Sequence, residues 1–241
     1  MSTLLELWWL IPATFFTAII TAVSGAGGGV LLLGLMGAVL TPLAVVPLHG
    51  AVMLPQNTFR GLLLIKNADW RFIGIVALGS IVGAVAAGPL AVSLPETLSK
   101  VLLGLGLLYL VWMPKLKGSW NFPGKTVVLA VVTSMVSMVI GAAGVLFSAI
   151  RKRDDRAKEQ ILADQSFCMM VQHGLKVLVF GAYGFAFGPY LPLLAAMVAM
   201  GMAGTLMGVY LLKRMNSIWF DHVFKLVVSI LAGKLLVDAF L

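Results

Sequence analysis

The chain has 241 residues, of which 61% are hydrophobic and 11% charged, with a mean hydropathy of +1.04. A soluble globular domain is excluded, and apolar stretches of membrane-spanning length recur between short polar breaks. The net charge of +8 does not point to nucleic acid, because the 17 Lys and Arg residues fall mainly in short breaks rather than along one face. The single cysteine, Cys168, excludes an intrachain disulfide and reads as a small buried hydrophobe.

Hydrophobic elements are predicted at 4–23, 28–40, 43–65, 71–92, 98–113, 126–150, 160–183, 191–212 and 218–241. The opening MSTLLELWWL has neither a basic leader nor a small-residue cleavage site, so it reads as the first hydrophobic element. Trp8, Trp9, Trp70, Trp112, Trp120 and Trp219 fall near element ends, as indole rings at a membrane interface do. Basic residues cluster at Lys66 and Arg71, at Lys115, Lys117 and Lys125, at Arg151 to Lys158, and at Lys213 and Arg214. The breaks at 41–47, 93–100 and 185–192 carry no net positive charge, which places the basic loops in the cytoplasm and both termini outside. Loops 114–125 and 151–158 then share a side. Residues 126–150 are therefore expected to be a re-entrant hairpin turning at 140–145, and the first two elements a second hairpin turning at SGAGGGV, 24–30.

One internal register relates the halves. Gly25, Ala26 and Gly28 match Gly141, Ala142 and Gly144, and Gln56, Asn57 and Arg60 match Gln172, His173 and Lys176, both at a spacing of 116 residues (172 − 56). After a short insertion Gly88 is expected to match Gly208. An all-α fold of two inverted repeats follows, 1–122 and 123–241, each a broken hairpin plus three transmembrane helices. This is an architecture that many secondary transporters share. The dense glycines Gly25, Gly27, Gly28 and Gly29, and in the second half Gly141 and Gly144, would free backbone N–H groups and expose half-helix N-termini to an anion. The spacings Gly79 to Gly83 and Gly204 to Gly208 read instead as close helix packing.

Arg60 and Lys176 lie deep in their elements with no acid at helical spacing, as expected if a substrate supplies the negative charge. Gln56, Asn57 and Arg60 are expected to share one face, with Gln172, His173 and Lys176 repeating it and Gln165 and Ser166 extending a polar stripe. His173 and His49 are candidates for proton exchange. Asp164 reads as a solvated or capping residue, Lys234 and Asp238 as a pair, and the 13 methionines as packing. No enzyme motif and no metal-ligand spacing is found, so neither catalysis nor a cofactor is expected.

The stretch SGAGGGVLLLG, the PLHGAV…QNTFRGLLL…ADWR pattern at 47–71, and MVIGAAGVLF followed by QHGLKVLVFGAYGFAFGPYLPLLAAM at 172–197 together resemble the sulfite exporter TauE/SafE family of membrane permeases. The resemblance covers essentially the whole chain. It implies a bacterial cytoplasmic membrane protein that moves small sulfur-containing anions such as sulfite, sulfoacetate or other organosulfonates, with export the expected direction. Its partners would be that anion, the lipid bilayer and, if coupled, protons; a homo-oligomer is left open. The second break has fewer glycines, Ala143 matching Gly27 and Val145 matching Gly29, so equivalent half-sites are not expected. A passive anion channel on the same scaffold is the alternative, and a membrane enzyme or scaffold a more distant one.

Overall fold

The computed structural model describes residues 6–24, 27–112, 124–151, 156–211 and 218–241. Among them are ten α-helices: α1 (Leu10–Ser24), α2 (Gly27–Gly37), α3 (Pro42–Leu63), α4 (Trp70–Ser93), α5 (Glu96–Trp112), α6 (Lys125–Ile140), α7 (Gly144–Arg151), α8 (Lys158–Ala182), α9 (Leu191–Leu211) and α10 (Ile218–Val237). The order is twice a broken pair followed by three longer helices. Element ends fall within a few residues of those expected, except that α1 begins at Leu10.

The distribution of polarity is inverted relative to a soluble protein. Arg60, Lys176, His49, His173, Gln56 and Gln172 are buried, while large apolar residues such as Leu78 on α4 (69% exposed) and Leu206 on α9 face outward. Such a surface is at a minimum of free energy in hydrocarbon, not in water. α4 and the segment Gly188–Leu211 are long and apolar enough to cross a membrane, whereas α3 and α8 are of similar length but carry the polar residues just named.

Two parallel helix pairs depend on glycine. A Cβ on Gly83 of α4 would run into the Val131 carbonyl and Ser134 of α6, and one on Gly204 of α9 would run into the Phe15 carbonyl and Ala18 of α1. The predicted packing role of the Gly79–Gly83 and Gly204–Gly208 spacings is thus observed, since small residues let backbones approach. Between these pairs α3 and α8 cross antiparallel, with Gly50 against Lys176, Leu54 against Gly174 and Gly61 against Phe167. α5 and α10 are also antiparallel: Trp112 Nε1 donates to Ser229 Oγ at 2.9 Å and Lys100 Nζ to the Asp238 carbonyl at 3.1 Å. Lys234 pairs with Asp238 as expected.

Two expectations are corrected, on Gly88 and on Asp164, and one is met. Gly88 does not occupy a place like that of Gly208: it faces Val179 of α8, whereas Gly208 faces Ile19 and Ala22 of α1. By its contacts Gly204, against Phe15 and Ala18 of α1, corresponds instead to Gly83, against Val131 and Ser134 of α6. Asp164 is not solvated; it is fully buried and accepts from the Asp69 backbone N–H at 2.7 Å, where Asp69 in turn caps α4 by accepting from Phe72 N–H. Finally, the two broken pairs fold differently. Gly28 of α2 lies against Thr17 and Thr21 of α1, whereas α7 packs chiefly on α8.

Candidate functional site

Both glycine segments interrupt a helix. α1 stops at Ser24 and α2 starts at Gly27; α6 stops at Ile140 and α7 starts at Gly144. The cause of the second break is local. Gly141 has φ +93°, a conformation costly for any residue with a Cβ, and its N–H returns to the Ser137 carbonyl to end α6. The chain then restarts with Leu146 N–H donating to Ala143 C=O at 3.0 Å. Gly25 lies outside the described residues.

Beside the two restarts is a small cavity, about 20 Å³, enclosed by α1, α2, α3, the second break and α8. Its walls include Gly29 and Val30 at the start of α2, Ala142 to Gly144 before and at the start of α7, Asn57 and Arg60 of α3, and His173 of α8. Early N–H groups of a helix lack intrahelical acceptors, so both restarts bring partial positive charge to this space.

Arg60 is 2% exposed. Its Nε donates to Ser166 Oγ at 2.7 Å and its Nη2 to Asn57 Oδ1 at 2.6 Å, while Ser166 Oγ donates to the Leu162 carbonyl at 2.5 Å. These neutral partners aim the guanidinium without cancelling its charge. Neither Arg60 nor Lys176 belongs to an ion pair among the described residues, where the pairs are Lys100–Glu96, Arg156–Asp69 and Lys234–Asp238. The Arg60 bonds to Ser166 and Asn57 use two of the five N–H donors of the guanidinium, and the side chain lies on the cavity wall.

The other predicted residues divide. His49 lines the cavity, its Nε2 donating to the Gly29 carbonyl at 2.9 Å and its ring standing edge-on to His173 with centroids 5.5 Å apart. Lys176 is 0% exposed and does not line it; its Nζ donates to the Gly141 carbonyl at 2.7 Å and to His173 Nδ1 at 3.4 Å. Ser166 reaches the site only through Arg60. Gln56 does not line the cavity; its amide lies against Gly201 of α9. Gln172 likewise turns away, Nε2 donating to Ser80 Oγ of α4 and Thr133 Oγ1 of α6. Gly27 faces Phe224 of α10, and Gly28 lies on α1, so among the described glycines 27–29 only Gly29 reaches the cavity wall.

Sequence reasoning missed Thr21, Met53 and Met169 on the wall, and assigned Gln165 only to a stripe. A signal was available, since Met169 follows Met53 by the same 116 residues (169 − 53), and so does Gln165 follow His49 (165 − 49). Gln165 Nε2 donates to the Gly144 carbonyl at 3.2 Å, the counterpart of the His49 bond to Gly29. The acceptors are 115 residues apart (144 − 29) rather than 116.

Searches of the curated proteins and of the solved structures return no match. The family model for the sulfite exporter TauE/SafE matches residues 10–235. With broken helices, a polar interior under an apolar surface and a match of that extent, the chain belongs to the sulfite exporter TauE/SafE family of membrane transporters.

Proposed function

We propose that the protein is a secondary transporter that exports a small sulfur-containing oxyanion, such as sulfite, sulfoacetate or another organosulfonate, across the bacterial cytoplasmic membrane. One observation carries this reading: a buried guanidinium outside any described ion pair on the wall of a cavity where two half-helices restart. Arg60 supplies the charge, Asn57 and His173 orient oxygens, and the backbone at Gly29 and Gly144 adds amide dipoles. Ser166 holds Arg60 in place.

The cavity is large enough for about one ordered water and too small for a four-heavy-atom oxyanion. Binding in this reading therefore requires the walls to separate. Alternating access would come from two inverted repeats, 1–122 and 123–241, rocking about the site. Several paired contacts support the inversion. Arg60 meets Ser166 while Lys176 meets Gly50, and Gln172 meets Ser80 while Gln56 meets Gly201. In each case the second contact is the first with the halves exchanged. α3 and α8 cross antiparallel, as an axis in the membrane plane demands. Orientation follows the loop charges, with both termini outside. The His49–His173 pair is placed to exchange protons with the cavity and so to couple transport to the proton gradient.

The test is flux in proteoliposomes with labelled sulfite. Accumulation against its gradient, driven by an imposed pH difference and competed by sulfoacetate, is the expected result. Downhill movement alone, insensitive to the pH difference, would identify a passive channel instead, and absence of any sulfite or sulfonate flux would end the proposal.

A further inference from the structure

Lys176 occupies a slot built for its length. A Cβ added to Gly50 of α3 would stand 2.9 Å from Lys176 Cδ, so glycine there leaves room for the stem. The ammonium ends on the Gly141 carbonyl at 2.7 Å, at the residue whose positive φ terminates α6, and also reaches His173 Nδ1 at 3.4 Å. Immediately after Gly141 come Ala142, Ala143 and Gly144, which form one wall of the cavity that Lys176 itself does not line.

We propose that Lys176 is a positioning residue that clamps the second helix break, not a ligand of the transported anion. Its charge complements the negative C-terminal end of α6. Its two hydrogen bonds tie that end to α8 one turn from His173, so the break and the imidazole move as one body when the site opens. The proposal rests on the reading of Arg60 as the anion's cation.

The experiment compares Lys176→Met, Lys176→Arg, Gly50→Ala and Arg60→Met, each purified as monodisperse protein, in sulfite binding and in sulfite flux per folded molecule. A clamp predicts that Lys176→Met binds sulfite within about fivefold of the parent while its maximal flux falls at least tenfold, and that Lys176→Arg recovers part of the flux. Gly50→Ala keeps the charge but displaces the stem, so it should show the same split between affinity and rate. It also serves if Lys176→Met does not fold. The clamp is overturned if Lys176→Met loses binding as Arg60→Met does while Gly50→Ala keeps both, or if Lys176→Met and Gly50→Ala both transport at the parental rate. Retained binding in Arg60→Met sinks the site reading separately, since the flux of the Gly50 variant still scores the clamp.

Discussion

Replacing Arg60 by Met removes a cation but keeps an unbranched side chain, so helix α3 and its packing are disturbed little. The guanidinium uses two of its five donors on Asn57 and Ser166, and in the proposed site two of the others meet the anion. Hydrogen bonds from a charged group contribute about 1.5 to 3 kcal/mol each, so two of them to an oxyanion amount to roughly 3 kcal/mol or more, even at the low end. At about 1.4 kcal/mol per factor of ten, sulfite affinity should fall at least about 100-fold. Arg60→Lys keeps the charge and loses the planar fork, so it should recover only part of the loss. Isothermal titration of detergent-purified protein with sulfite measures both. If Met and Lys at position 60 each leave the affinity within about threefold of the parent, the guanidinium does not bind the anion and the site is elsewhere.

Gly83→Ala places a methyl group into the Val131 carbonyl and Ser134, a cost of about 1 to 3 kcal/mol, whereas Gly74→Ala meets open space. Thermal melting in detergent should drop by several degrees for the first and stay flat or rise for the second; equal melting would refute the close approach of α4 and α6. Gln172→Leu strands Ser80 Oγ without the donor it now has and should lower the melting temperature, while Gln56→Leu removes an amide nitrogen that is buried without a partner and should leave it unchanged or raise it. A larger loss for Gln56→Leu would invert that assignment. His49→Gln should preserve the bond to the Gly29 carbonyl, as Gln165 does for Gly144, and so keep sulfite binding while abolishing the response of flux to an imposed pH difference. Retained coupling in that variant would remove His49 from the proton path.

The helix order, both breaks and the cations were readable because each leaves a mark on composition: hydrophobic runs, glycine density, and charge where charge is expensive. Side-chain direction was not. Residues 56 and 57 differ by about 100° around a helix, and a surface helix would show by its polar stripe which one faces in. α3 is covered by protein over most of its circumference in the site region, so Gln56 can face α9 and Asn57 the cavity with no trace in the pattern. The same blindness hid Met53 and Met169, which line the cavity although their residue type signals packing. His49 and Gln165 escaped pairing for another reason. They share a task, donation to a carbonyl at a half-helix start, but not a residue type, and an internal repeat searched by identity cannot see a conserved role.

The different placement of the two cations agrees with the small size of the cavity, which Arg60 lines and Lys176 does not. Two exact repeats would aim two positive side chains into one enclosed cavity, where low local dielectric makes like charges repel strongly and a single compact anion cannot satisfy both. Arg60 keeps its fork at the wall because Asn57 and Ser166 take the donors that point away. At the repeat-related position the partner residue is Gly50 rather than Ser166, which opens a channel for a long thin stem and no hydroxyl to hold a guanidinium. Lysine fits that channel and delivers its charge to a backbone carbonyl, outside the cavity. The fewer glycines of the second break agree with this division. A break that is clamped from behind needs one residue of positive φ, Gly141, to end its helix, while the first break brings α2 so close to α1 that Gly28 has no room for a side chain. In the proposed reading, divergence of the halves leaves one cation, Arg60, for the cargo and one, Lys176, for the scaffold.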